Sequence, residues 1–318
     1  MSDGLLTGKS VIITGAGQGL GEAYARAAAV EGANVAVVDL DGVKARAVAE
    51  SIGENGGSAI AIEADISSWD STDSVVRATV DAFGKLDGLI NNAAFYGPAK
   101  AGEETEAEIR RSFEVNVFGA HFLSIHALRA MGEEGSIINV VSGAQSGLVY
   151  TSSYGASKGA IASLTYCWAA DMQASGNKIR VNAISPYAKT VMLDRTVEFY
   201  AERAGGPGSG PLEKADFLDT APDPSTVAPI AVFLLSDLST DINGQIVRME
   251  DGDKLSLVTK PHVLAQPLYR PGGWTPRDVA AAFDADLRGR LQPVGIHYLD
   301  AKVVPAPDVL EPFVLPSA

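Results

Sequence analysis

Cysteine is nearly absent from this chain: Cys167 is the single one among 318 residues. One thiol can form neither an intrachain disulfide nor a cysteine-based zinc site, so the fold must be held by packing and hydrogen bonds. Within a helical pattern Cys167 is expected to behave as a small apolar residue. Histidine is also scarce, and His121, His126, His262 and His297 show no metal-ligand spacing, so no metal is assigned. Basic residues are outnumbered, 25 Lys and Arg against 39 Asp and Glu, for a net charge of -14. That balance argues against a nucleic-acid partner, because neutralising phosphates requires a basic face. It does not argue against a dinucleotide, whose pyrophosphate can be held by backbone N–H groups at a helix start. No apolar stretch reaches membrane-spanning length, and the opening MSDGLLTGKS lacks a basic region followed by an apolar one. A cytoplasmic protein without a membrane partner is expected.

The remaining composition, 46% hydrophobic and 20% charged, is that of an ordinary globular chain. Short apolar runs alternate with helical patterns from the start. Ser10 to Thr14 is followed by the glycine cluster Gly15, Gly17, Gly19 and Gly21 and then by a helix-like segment closed by Gly32. A strand, a glycine turn and a helix form the context of a dinucleotide fingerprint: glycine permits the sharp turn and lets a pyrophosphate approach the helix N-terminus without meeting a Cβ. The next run, Asn34 to Leu40, carries Asp39 about 20 residues beyond the turn, where a carboxylate accepts hydrogen bonds from an adenosine ribose. It would repel a 2′-phosphate, and Gln18 and Leu40 bring no cation, so NAD is preferred over NADP. Asp65 follows a third strand, Ala59 to Ala64, where its side chain could reach an adenine ring, and Ser67 or Ser68 caps the next helix. Leu86 to Ile90 is a fourth strand leading into Asn91-Asn92-Ala93-Ala94. Thr105 to Glu108 is a capping box that opens one long helix to Met131, with Asn116 in its interior. An amide among apolar residues is costly there unless it is satisfied.

The stretch from Gly135 to Pro186 carries the chemistry. An apolar run delivers Ser142 at its end, and Tyr154 and Lys158 stand four residues apart at the start of a helical pattern, on one face. A hydroxyl, a phenol and an ammonium can together move a proton on or off a carbonyl oxygen. Residues 187–226 change texture, becoming rich in Gly and Pro, and are expected to form a substrate lid whose Met192, Leu193, Phe199, Tyr200, Phe217 and Leu218 need an apolar surface to cover. Ser225 or Thr226 is expected to cap the following helix, and Gly244 to Met249 to form the last strand. Residues 1–252 are read as one catalytic domain. Residues 253–318 form an extension with one helix opened by Thr275-Pro276 and a proline-rich tail.

With TGAGQGLG, Asp65, NNAA, Asn116, Ser142 and YGASK in this order, the chain resembles the short-chain dehydrogenase/reductase family over roughly residues 8–252, with a C-terminal extension. The resemblance implies an α/β, Rossmann-like doubly wound parallel sheet of seven strands with helices on both faces. It implies an NAD-dependent oxidoreductase interconverting an apolar secondary alcohol and its ketone. Tyr154 is then the general acid/base, Ser142 holds the substrate oxygen, Lys158 holds the nicotinamide ribose, and Asn116 positions a water. The Lys158 ammonium and the nicotinamide charge are expected to lower the Tyr154 pKa. The cofactor would contact Gly15, Gly17, Gln18, Gly19, Leu20, Gly21, Asp39, Leu40, Asp65, Ile66, Asn92, Ala93, Ala94, Tyr154, Lys158, Pro186 and Thr190. Phe95, Tyr96, Tyr150, Tyr187, Met192 and Phe199 would shape the substrate pocket. A homotetramer or dimer is implied, with residues 105–131 and 154–174 at the interface. Ala94 replaces the glycine of the family's NNAG, and Ser142 precedes Tyr154 by 12 residues, one fewer than usual. Pro186-Tyr187 replaces Pro-Gly, and Thr190 lies one position early. The competing readings are a dinucleotide-binding sensor or scaffold without turnover, and an NADPH-dependent ketoreductase.

Overall fold

Seven of the apolar runs become strands of one sheet: β1 Ser10–Thr14, β2 Asn34–Asp39, β3 Ser58–Glu63, β4 Gly88–Asn91, β5 Glu134–Val140, β6 Lys178–Pro186 and β7 Ile246–Glu250. The computed structural model describes residues 4–203, 221–250, 254–258, 260–261 and 276–286. All seven pair in parallel, in the order 3-2-1-4-5-6-7. An eighth strand, β8 Lys254–Val258, extends the expected seven-stranded sheet by pairing antiparallel with β7. Its sequence, KLSLV, gave no notice because Leu255 and Leu257 stay largely exposed, 66% and 64%. The strand is held by its register on β7 rather than by burial of an apolar face.

Helices cover both faces: α1 Gly19–Val30, α2 Gly42–Glu54, α3 Trp69–Phe83, α4 Glu106–Phe113, α5 Ala120–Ala130, α6 Ser152–Ser175, α7 Val191–Arg203, α8 Ala228–Leu235 and α9 Pro276–Ala285. The reason is visible in β1, buried at every position. Its Val11 and Ile13 pack with α1, α2 and α8, while Ile12 packs with α3 and α5, as the two-residue period of a strand requires. Side-chain oxygens close the helix starts: Asp41 caps α2, Ser68 caps α3, and Thr105 and Glu108 form the capping box of α4. Neither Ser225 nor Thr226 caps the segment before α8. Asp223 does so, accepting from Ser225 N across the short turn Pro224–Thr226.

The long helix expected from Thr105 to Met131 is interrupted. Between α4 and α5 the residues Glu114–Gly119 form a π-helical turn, with Asn116 inside it. Such widened turns insert one extra residue per turn and occur often at functional sites. Of the expected lid, α7 is formed as expected, while Phe217, Leu218 and the Gly/Pro-rich segment before them lie outside the described residues, as do Thr275 and the tail beyond 286. α9 starts at the predicted place, and the remainder of the predicted helix, residues 287–291, lies outside the described residues.

Arg180 on β6 is buried and donates to Ser239 Oγ at 2.8 Å and to the carbonyls of Leu234 at 2.8 Å and Ser236 at 3.2 Å. It thereby satisfies carbonyls at the C-terminus of α8, where a cation is electrostatically favoured. Arg180→Met keeps the volume but removes three charge-assisted hydrogen bonds, leaving Leu234 O to Ser136 Oγ and Ser236 O to Ser239 Oγ, and should lower unfolding free energy by roughly 3 kcal/mol in a urea titration; an unchanged midpoint would show that water replaces the guanidinium.

Candidate functional site

The strand order reverses between β1 and β4, and in such sheets a crevice opens at the carboxyl ends of the strands at that point. The join is tightly specified here. Thr14 Oγ1 accepts from Asn92 N at 3.0 Å and Ala93 N at 3.1 Å, while Asn92 Nδ2 donates to Thr14 O at 2.9 Å and Gly15 O at 3.2 Å. Above it lies a cleft of about 820 Å³. The glycine turn forms its floor, with Gly15 and Gly19 at φ 61 and 60, in the region open to glycine at little cost. α1 starts at Gly19 with no side chain capping it, so its first N–H groups keep their capacity for an anion. Gly17 and Gly21 lie behind this surface. A Cβ on Gly21 would sit 2.1 Å from Gly15 O, and one on Gly17 would sit 2.8 Å from Lys44 Cβ. The geometry therefore fits a pyrophosphate approaching bare backbone.

Asp39 stands at the end of β2 as expected. Its Oδ2 accepts from Gly17 N at 2.9 Å and its Oδ1 from Asp41 N at 3.0 Å, which fixes the carboxylate at the lip of the cleft beside exposed Leu40. The expectation that no cation stands nearby is corrected. Lys44, in the first turn of α2, reaches across and donates to Gln18 Oε1 at 3.0 Å. Helix geometry brings it back over β2 although it is five residues further along the chain. At the next strand end, burial alone would raise the Asp65 pKa, but the Ser67 hydroxyl and N–H and the Arg111 guanidinium hold it below the usual carboxylate value. Arg111 lines the cleft here with Ile66, and nothing in the reading of the sequence pointed to it.

Ser142, Tyr154 and Lys158 come together at the other end of the cleft. Lys158 is buried, its Nζ donates to Val140 O at 2.7 Å and lies 5.7 Å from the centre of the Tyr154 ring. Burial pushes its pKa down to about 8. Tyr154 is half-buried, and burial of its ring pushes the phenol up to about 12, against a hydrogen bond with Ser142 and reinforced by the nearby Tyr96 phenol. In the free protein desolvation therefore sets the direction, and the Lys158 ammonium makes its hydrogen bond to a backbone carbonyl; the lowering expected from the sequence included the charge of the nicotinamide. The loop from Ser142 to Tyr154 holds a short turn at Gly143–Ser146 and places Tyr150 at φ 63, the sole non-glycine residue with positive φ among the described residues. A bulky residue there carries backbone strain, consistent with a loop one residue short.

Asn116 does not line the cleft. It is buried behind the wall, where Oδ1 accepts from Phe95 N at 2.6 Å and Nδ2 donates to Phe95 O at 3.0 Å and Ser157 Oγ at 2.9 Å. The amide is satisfied, and its direct effect is to position Phe95. Of the pocket residues expected from the sequence, Phe95, Tyr96, Tyr150, Tyr187 and Met192 line the cleft, while Phe199 lies behind Tyr150 with ring centres 5.6 Å apart. Pro186 and Thr190 line it too. Thr190 Cγ2 lies 3.9 Å from where a Cβ on Gly19 would be, so its early position in the sequence does not remove it from the cleft. Thr196, one turn further on α7, also faces the cleft and was not singled out. Among the described residues, no three His, Cys, Asp or Glu side chains are placed to hold a metal ion, and no helix is long and apolar enough to cross a membrane. Cys167 is exposed on α6.

Residues 9–200 match the family model described as short chain dehydrogenase. The chain is 35% identical over 259 residues to the 2,5-dichloro-2,5-cyclohexadiene-1,4-diol dehydrogenase of Sphingobium indicum, covering 79% of this chain and 98% of that one. Among solved structures, a short chain dehydrogenase from Mycobacterium avium superposes with a TM-score of 0.76 at 29% identity, covering 92% of this chain and 98% of the other. An NAD+-bound xylitol dehydrogenase superposes with a TM-score of 0.70 at 29% identity, covering 77% of this chain and 98% of its own.

Proposed function

The chain belongs to the short-chain dehydrogenase family and is an oxidoreductase acting on CH–OH groups; from that premise we propose that it interconverts an apolar secondary alcohol and its ketone with NAD, Tyr154 serving as acid and base. The observation that carries this reading is the convergence of Ser142, Tyr154 and the buried Lys158 ammonium on one cleft that begins at an uncapped helix start. A sensor or scaffold without turnover would have no use for a phenol and an ammonium sharing a desolvated corner.

The nicotinamide dinucleotide, when bound, supplies the hydride acceptor for oxidation and the donor for reduction. The proton is the protein's part. A phenol pushed up to about 12 carries its proton at neutral pH, so Tyr154 is ready to donate to a developing alkoxide in the reducing direction. In oxidation it must accept a proton. Lys158, with a pKa of about 8, remains mostly charged at neutral pH, and its ammonium beside the ring stabilises the phenolate in a site where water does not screen it. Ser142 hydrogen-bonds the phenol and can hold the substrate oxygen at it. Asn116 acts as a positioning residue through Phe95.

Asp39 favours NAD, because its fixed carboxylate suits ribose hydroxyls and repels a 2′-phosphate. Lys44 is the one observation that supports use of NADP, and the two groups oppose each other at the same corner. Self-association, as a homotetramer or dimer, is supported by the apolar surface that the π turn and its neighbours leave uncovered: Phe118 is 48% exposed, and Trp69 and Ile109 are 40% exposed each.

Tyr154→Phe should lower turnover in an NADH-absorbance assay by roughly 100-fold or more while NADH binding stays within a few-fold; normal turnover would dispose of the proposed proton donor. Asp39→Ala should shift the NADH to NADPH affinity ratio toward NADPH by about tenfold, and Lys44→Ala toward NADH by a similar factor, each the worth of one charge-assisted hydrogen bond. Fluorescence titrations read both, and shifts of the same sign in the two variants would contradict the opposition. Phe118→Asp should give a smaller species than the parent in light scattering, and an unchanged mass would exclude this face as the interface.

A further inference from the structure

The cleft holds a second phenol beside the first. Tyr96 is buried at 7% exposure, with its ring edge-on to Tyr154, the ring centres 5.0 Å apart and the planes at 90°. Its oxygen lies 2.9 Å from Thr196 Oγ1 on α7, and Thr196 Oγ1 lies 2.9 Å from Met192 O. Each hydroxyl has one proton and lone pairs to accept with. If Tyr96 donates to Thr196 and Thr196 to Met192 O, the phenol oxygen keeps an acceptor site. If Thr196 donates to Tyr96 instead, the phenol keeps its proton. In both arrangements the pair retains one hydrogen bond to give or take at the cleft. Proton transfer to the reacting oxygen is served by Ser142 and Tyr154 and makes no use of it.

The cleft that holds the pair is lined in large part by apolar side chains, among them Phe95, Pro98, Leu148, Val149 and Met192. An apolar ring or chain would bury against these side chains, where a polar group without a partner is costly. One further oxygen, however, matches the one unspent hydrogen bond. We infer that the substrate is a compact apolar diol, or the corresponding hydroxyketone, whose second oxygen is bound by Tyr96 and Thr196 while the first reacts at Tyr154. The inference rests on the hydride-transfer reading above and adds to it the substrate class and two residues that select it.

The test compares cyclohexanol with cyclohexane-1,2-diol and cyclohexane-1,4-diol in the full chain with NAD+. Wild type should favour at least one diol in kcat/KM, and Tyr96→Phe and Thr196→Val should each lower that diol-to-monoalcohol ratio by about tenfold, with Thr196→Ser restoring it. Calorimetric titration of the preferred diol should show the same loss of affinity in Tyr96→Phe, a readout that does not depend on turnover. A wild type with no preference for either diol, or a preference that survives both variants, overturns the subsite. Absence of NAD-linked oxidation of all three compounds together with tight, Tyr96-dependent diol binding would instead fault the hydride-transfer reading and leave the subsite standing.

Discussion

The join between β1 and β4 is the constraint on which the cleft depends. Thr14 is the last residue of β1, and its hydroxyl accepts two backbone N–H groups from the segment leaving β4, while the Asn92 amide returns two hydrogen bonds to the chain leaving β1. Two strand ends that diverge into different connections are thereby held in one geometry. The same contact sets the glycine turn, because a Cβ on Gly15 would meet Ala93 Cα at 2.8 Å. Close approach of the two loops and the bareness of the turn are one requirement. The nucleotide end and the reacting end of the cleft are both aligned from this point, the former through Asp39 and α1 and the latter through Ala93 to Tyr96.

Below the join the sheet carries an internal polar chain. Asn91 and Asn139 are register partners on β4 and β5, linked by a 2.9 Å hydrogen bond, and their amides reach Ser124 on α5 at 2.7 Å and Thr165 on α6 at 2.9 Å. A buried amide donor is costly when unpaired, so these bonds favour one register and one helix placement, while Asn91 Oδ1 stays without a hydrogen-bond partner. α6 carries Tyr154 and Lys158 in its first two turns. The low polarity that makes the pairing necessary is also what raises the phenol and depresses the ammonium.

Much of this was legible because it obeys local rules. The continuous apolar runs of the strands, the glycine turn, the capping box at Thr105 and the spacing of Tyr154 and Lys158 each depend on residues close in sequence. What escaped notice depends on residues brought together from afar. Lys44 is unremarkable until the start of α2 folds over β2 and sets its ammonium on Gln18. Arg111 and Thr196 are ordinary helix residues until their helices pack against the strand ends. β8 escaped because its pairing is with backbone, which carries no side-chain signal. The rise of the Tyr154 phenol in the free protein is hidden for a related reason: sequence spacing reports which charge is near, but not how much water has been removed.

The π turn joins these strands of the argument. In a regular helix from Thr105 to Met131, residues would follow one another at a fixed angle, and the interior amide would have to compete with its own helix for partners. The widened turn at Glu114–Gly119 sets Asn116 where its side chain grips both polar atoms of the Phe95 backbone and the Ser157 hydroxyl. Ser157 Oγ donates in turn to Tyr154 O at 2.7 Å. One buried amide therefore ties the segment that carries Phe95 and Tyr96 to the helix that carries Tyr154. The two phenols stand at a fixed separation because their backbones are tethered to the same side chain. Selection of a second substrate oxygen at Tyr96 requires that fixed separation, since a subsite that drifted relative to Tyr154 could not report where on the substrate the reacting carbon lies.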